Sequence, residues 1–244
     1  MLLAGMSASC LQSPMQLTFL DPLRPDAPFP PLDRALEEPN GLIAVGGCLS
    51  PQRILNAYRA GIFPWFNPGE PILWWSPDPR LVLFPEQVYV SRSLGKTLRK
   101  QAFEIRYDSA FADVIKACSE PRHAEGGTWI TESMNQAYCQ LHALGIAHSF
   151  EAWQDGQLVG GLYGLGVGQV FFGESMFHRV TDASKVAFVS LVRQLMAWGY
   201  RLIDCQVSSE HLFSLGAEEI PRRQFADLLS KLCPLPVSST AWQS

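Results

Sequence analysis

GGLYGLGVGQVFFGESMF, residues 160–177, holds two apolar runs separated by glycines, with Glu174 placed between Phe171-Phe172 and Met176-Phe177. The runs read as neighbouring strands, Gln157 to Tyr163 and Gln169 to Phe172, joined by a glycine turn at Gly164 to Gly168. An ionised carboxylate among large apolar side chains is costly unless it is paired or hydrogen-bonded. Glu174 therefore either holds a polar group or ends a strand with its carboxylate in water.

Upstream, His148 to Gln154 meets Asp155-Gly156, the strongest short hairpin signal, and turns into the first run. Downstream, Asp182 is the expected cap of a long helix with Val186, Val189, Leu191, Val192 and Leu195 inward, and Gly199 ends it. Tyr200 to Val207, YRLIDCQV, reads as a buried strand, and Pro221 starts a last helix through Phe225, Leu228 and Leu229. A β-meander followed by a helix and a further strand predicts an α+β fold.

Asp204 and Gln206 stand two apart on that strand, so they share a face while Cys205 points away, which argues against a cysteine nucleophile. The Asp carboxylate is expected to accept from the Gln amide and leave the amide oxygen free for an incoming amine. A strand-end pair that satisfies backbone groups is the alternative.

The first half is less regular. Residues 14–40 are an extended proline-rich arm. Ser50-Pro51 starts a helix with Ile54, Leu55 and Tyr58 on its buried stripe, ended by Gly61. Then GIFPWFNPGEPILWWSPDPR, residues 61–80, sets Trp65, Phe66, Trp74 and Trp75 on proline-stiffened chain, as either a stacking platform or core. Trp74 and Trp75 are adjacent, so at most one faces a given pocket. Asp108 or Ser109 is the expected cap of a helix carrying Phe111, Val114, Ile115 and Cys118 inward. Thr131 caps another, with Met134, Ala137, Tyr138 and Leu141 on its apolar face.

The 244 residues carry a net charge of −4, which excludes a globally basic nucleic-acid coat. Residues 80–106 nevertheless hold six basic against two acidic side chains, a net +4, which leaves −8 for the rest. Arg92, Lys96, Arg99 and Lys100 share one helical face, suited either to solvent or to phosphates. The six cysteines lack zinc-type spacing, and His142 and His148 have no matching ligand set, so neither a metal nor a disulfide framework is expected. No apolar run approaches ~20 residues, and MLLAGMSASC lacks a basic signal-peptide start. We expect a disordered start or an over-long one, with Met6 or Met15 as the true initiator. No GxSxG, P-loop, GxGxxG or HExxH motif occurs.

FPWF, PILWWSPDPR, GTWIT, GGLYG, GESMF, ASK, LIDCQV and SLGAEEIPRR, in order from Pro39 to Phe225, resemble the leucyl/phenylalanyl-tRNA–protein transferases. The resemblance implies a cytoplasmic aminoacyltransferase with no cofactor and no membrane association, expected to be a monomer. It would move Leu or Phe, less well Met, from aminoacyl-tRNA to an N-terminal Arg or Lys, forming a peptide bond and marking the acceptor for the N-end rule pathway. It implies a small N-terminal domain and a C-terminal domain resembling GNAT acyltransferases. We place these at residues 39–95 and 96–244, behind an arm at 1–38, with the interdomain boundary between 80 and 110.

Carried onto matching positions, the resemblance makes Asp204 and Gln206 the catalytic pair and Glu174 the holder of the aminoacyl-adenosine end. Trp65 and Trp129 resemble the contacts of the terminal adenosine. Leu162, Phe171, Met176, Leu191 and Ile203 match the pocket for the Leu or Phe side chain, with Leu162 often Met and Leu191 often Phe in the family. Arg92, Lys96, Arg99 and Lys100 match the tRNA-binding patch. Proton transfer assisted by the substrate's ribose hydroxyl would leave the Asp–Gln pair as positioning groups. Two other classes remain in view. An acyl-CoA N-acyltransferase should open its glycine loop onto a helix. An RNA-binding module would use the aromatics and the basic face without Glu174.

Overall fold

The computed structural model describes residues 17–120 and 130–243. In chain order the elements are β1 (Thr18–Leu20), β2 (Leu42–Gly46), α1 (Pro51–Arg59), β3 (Phe63–Pro64), β4 (Leu73–Trp75), β5 (Arg80–Leu83), α2 (Arg92–Lys100), β6 (Glu104–Tyr107) and α3 (Phe111–Ser119). They continue with α4 (Glu132–Ala143), β7 (Ala147–Gln154), β8 (Gln157–Val167), β9 (Val170–His178), α5 (Ala183–Trp198), β10 (Leu202–Gln206), α6 (Glu210–Phe213), β11 (Glu218–Ile220) and α7 (Arg222–Leu232). The α+β class is as expected.

Among the described residues, β1-β2-β4-β3 form a small sheet and β11-β5-β10-β9-β8-β7-β6 a seven-stranded one. Thr18–Leu20, inside the proline-rich arm, pairs in parallel with Ala44–Gly46. The arm is fastened by Arg53 of α1, which is fully buried and donates to the carbonyls of Arg24 and Ala27 while lying 5.1 Å from the Phe29 ring.

The large sheet is covered on both faces. One face packs on α1, α3, α4 and α7 through Ile54, Val114, Met134, Tyr163, Phe172 and Phe225. The other packs on α2, α5 and the chain's end through Leu94, Leu162, Phe171, Leu191, Ile203 and Trp242. At about 25 cal/mol per Å2, this two-sided apolar burial dominates the favourable side of folding.

Local signals fared unevenly. Ser50 and Thr131 cap their helices as expected, accepting from the backbone N–H of Arg53 and Met134. Asp108 and Ser109 do not cap α3. Glu151 reaches over from β7 and accepts from the N–H groups of Ser109 and Ala110, a cap from a distant strand. Asp182 sits before α5 with φ 66°, yet its side chain makes no capping bond; it accepts from Thr97 of α2 instead.

The expected turn at Gly164 to Gly168 is also corrected. β8 continues through Val167, and the chain turns only at Gly168-Gln169. Gly164 is inside the strand because of close approach. A Cβ there would lie 2.2 Å from the Phe172 carbonyl oxygen and 2.7 Å from the Phe171 ring. β9 extends past Phe172 to His178, so Glu174 sits within the strand, not at its end.

Candidate active site

β9 and β10 run in parallel with Leu202 opposite Val170, Ile203 opposite Phe171 and Asp204 opposite Phe172. Among the described residues the pairing stops there, although β9 goes on for six residues. Against β5, β10 has a register shift between Asp204 and Gln206, and Gln206 adopts φ 65°. Where the strands cease to pair, a cleft of about 990 Å3 opens.

Leu162, Phe171, Met176, Leu191 and Ile203 all line this cleft, joined by Phe188 of α5, which the sequence reading missed. They come from β8, β9, α5 and β10, and they make an apolar wall on the α5 face of the sheet. Glu174, Asp204 and Gln206 line the same cleft. All eight of these expected residues therefore meet in one place.

Glu174 is half-buried and fully hydrogen-bonded. Tyr58 of α1 donates to Oε1 at 2.6 Å, the Gln206 amide to Oε1 at 2.9 Å, and Tyr138 of α4 to Oε2 at 2.9 Å. The two phenol oxygens lie 2.6 Å apart. Burial pushes the Glu174 carboxyl up to about 8, the nearby Asp204 charge adds to this, and the three donors pull it back. Burial and Glu174 raise both phenols well above the ordinary tyrosine value, so they stay protonated donors.

Asp204 does not accept from the Gln206 side chain. Arg80 takes both its oxygens, Nε to Oδ1 at 2.8 Å and Nη2 to Oδ2 at 2.6 Å, and the Gln206 backbone N–H also donates to Oδ1 at 2.9 Å. The Arg80 guanidinium lies 4.8 Å from the Phe63 ring and 4.7 Å from the Phe225 ring. The bulge at Gln206 is thus held by an ion pair, and it turns the amide toward Glu174. Against expectation Cys205 does not point away from the site: it packs with the apolar wall and lines the same cleft, but burial pushes its thiol well up, away from nucleophilic use.

Tyr58, Tyr138 and Arg80 were missed as site residues. The two tyrosines look like ordinary members of apolar helix stripes. The available signal was that a buried phenol wants a hydrogen-bond partner, as a buried carboxylate does. Arg80 looked like one cation of a basic run.

Trp65 is not among the residues lining the cleft. It is 44% exposed, and its ring centroid is 5.8 Å from that of Trp75. Trp129 and residues 1–16 lie outside the described residues. Arg92, Lys96, Arg99 and Lys100 are exposed on α2, and Arg193 of α5 joins the first three along a separate groove of about 760 Å3. None of these five has a carboxylate within ion-pair distance among the described residues. Among the described residues, no group of three His, Cys, Asp or Glu side chains is placed to hold a metal, and no helix is long and apolar enough to cross a membrane.

The fold and cleft define an α+β protein that offers an apolar side-chain pocket ending at a hydrogen-bonded carboxyl. Residues 82–230 match the family described as leucyl/phenylalanyl-tRNA protein transferase, and residues 47–78 match the N-terminal domain of the same family. A curated relative of that name from Nitrosomonas europaea is 61% identical over 217 residues, covering 89% of this chain and 92% of the relative. One from Methylococcus capsulatus is 59% identical over 227 residues, covering 93% and 97%. The chain belongs to the leucyl/phenylalanyl-tRNA–protein transferase family, which makes it an aminoacyltransferase. Among solved structures, L-PGS from Bacillus licheniformis has 10% identity and a TM-score of 0.39 over 66% of this chain and 52% of its own. A GCN5-related N-acetyltransferase-like protein from Streptococcus suis has 11% identity and a TM-score of 0.33 over 66% and 60%. Both likenesses are too loose to support a statement about this chain.

Proposed function

We propose that this protein transfers Leu or Phe, and Met less readily, from aminoacyl-tRNA to the α-amine of proteins beginning with Arg or Lys. It acts as a cytoplasmic monomer, and the product carries an N-terminal mark for the N-end rule pathway. The observation that carries the reading is the junction of the apolar wall with Glu174 in one cleft.

An aminoacyl ester is already activated. The acceptor nitrogen attacks the ester carbonyl, the C–N bond forms, the C–O bond breaks, and the proton the amine loses ends on the departing ribose oxygen, which leaves as a hydroxyl. The enzyme supplies position and a path for that proton. The apolar wall holds the Leu or Phe side chain, and Glu174 holds the polar end of the aminoacyl-adenosine. Tyr58, Tyr138 and Gln206 fix the Glu174 carboxyl at the end of that wall, so it orients the aminoacyl end. Asp204 has both oxygens engaged, which suits a positioning role; it aims Gln206 at the reacting amine through the bulge. By resemblance to the family, Trp65 and Trp129 contact the terminal adenosine, and the α2 cations with Arg193 meet acceptor-stem phosphates.

The test is transfer of radiolabelled Leu or Phe from charged tRNA to reporters with N-terminal Arg or Ala, with uncharged tRNA as control. Label on the Arg reporter alone is expected. Retention of tRNA without any transfer would overturn the enzyme reading in favour of an RNA-binding module.

A further inference from the structure

The chain beyond α7 lies outside the region matched by the family description, which ends at residue 230. It returns across the α5 face of the large sheet and is tied down along its length. Gln169 donates to the Pro236 carbonyl at 3.1 Å, the Ser238 N–H donates to the Trp198 carbonyl at 2.8 Å, and the Tyr107 hydroxyl donates to the Gln243 carbonyl at 3.0 Å. This path delivers the Trp242 indole into a cluster of rings. It stacks on His148 at 3.9 Å and 6°, lies 4.7 Å from Trp198, and donates from Nε1 to the Tyr200 hydroxyl at 2.8 Å.

One member of that cluster is Phe171, which lines the cleft; Trp242 does not. The two rings are 6.0 Å apart and tilted by 26°, and Tyr200 meets Phe171 edge-on at 6.4 Å. Gly164 lies against the Phe171 ring so closely that even a Cβ would not fit. The Phe171 ring is thus confined by Gly164, Tyr200 and Trp242, with the cleft at its free side.

We propose that Trp242 is a positioning residue that sets the depth of the apolar pocket by bracing Phe171, so that the C-terminal tail tunes selection between Leu and Phe. This rests on the transferase reading above. With Trp242 in place the wall cannot retreat, and a larger side chain gains no room. Removing the indole leaves a void behind Phe171, the ring recedes, and the pocket accepts Phe at the expense of Leu. Discrimination in apolar pockets is set by single methylenes, worth about 10- to 200-fold, so one displaced ring is enough.

The experiment compares full-length wild type, Trp242→Ala, Trp242→Phe and Ile43→Ala, the last a truncation in the small sheet's own core, outside the cleft lining. Read out are kcat/KM for leucyl- and phenylalanyl-tRNA, Kd for amide-linked leucyl- and phenylalanyl-adenosine, and Tm. We expect Trp242→Ala to shift both the kcat/KM and the Kd ratio toward Phe by about tenfold. Trp242→Phe should restore most of the wild-type ratio, and Ile43→Ala should lower Tm with no change in ratio. Unchanged ratios in Trp242→Ala, or equal losses for both donors that track Tm, would overturn the proposal. Wild type that binds the analogues but transfers nothing would sink the transferase reading alone, since the Kd ratio still decides this one. Binding of neither analogue would overturn both.

Discussion

Arg80 holds both carboxylate oxygens of Asp204 in a two-pronged pair whose side chains are 1% and 0% exposed. Removing one partner strands a buried charge, at a cost of about 3–5 kcal/mol. Asp204→Ala and Arg80→Lys should therefore both lose stability in urea unfolding, the second because an ammonium cannot reproduce the fork. Replacing both by apolar residues should recover part of the stability and none of the transfer, since Gln206 loses the acceptor for its N–H. Wild-type stability in Asp204→Ala would refute the positioning role.

Glu174 makes stability depend on pH in a defined direction. Burial raises its carboxyl from 4.5 to about 8, so between those values the folded protein keeps a proton that the unfolded chain releases. The cost of burying this group is therefore absent in acid and grows as pH rises to about 8. Glu174→Gln stays neutral throughout. Its Tm relative to wild type should climb from pH 5 to pH 8, while transfer falls. Parallel Tm curves would show that the carboxyl is not raised in the folded protein.

Gly164 should not tolerate a side chain. A Cβ would meet the Phe172 carbonyl oxygen at 2.2 Å, which is rigid backbone. Gly164→Ala is expected to cost about 1–3 kcal/mol by overpacking and to disturb Phe171 in the same step. Gly145→Ala has open space around it but φ +68°, so it should lose stability through backbone strain alone and leave donor preference intact.

The cations on α2 and Arg193 should act through salt-dependent binding. Each of Lys96→Gln, Arg99→Gln and Arg193→Gln is expected to weaken tRNA affinity and lower the slope of log K against log salt by about 1 or less. The rate with saturating charged tRNA should barely change. A variant whose slope equals that of wild type places its cation off the tRNA path.

Much of this protein is written locally. The Asp155-Gly156 hairpin, the Ser50 and Thr131 caps and the strand–helix–strand order after Gly160 come from turn chemistry, capping and periodicity over a few residues. The apolar pocket residues were named through resemblance to a family, and the fold then put them in one cleft. The Glu151 cap, and Asp182 bonding to Thr97 of α2 in place of its own helix, show the limit of such signals, because a capping position states a need and not its supplier.

Composition and local pattern by themselves determined the α+β class, the strand–helix–strand order after Gly160 and the presence of a costly carboxylate at Glu174. Only the tertiary structure decided what satisfies that carboxylate. Its donors lie 116, 36 and 32 residues away, and Arg80 meets Asp204 across 124 residues. A buried charge fixes that partners must exist, since leaving it unpaired is prohibitive. Which residues answer depends on which strands stop pairing and which helices pack beside them, and those are properties of the assembled sheet.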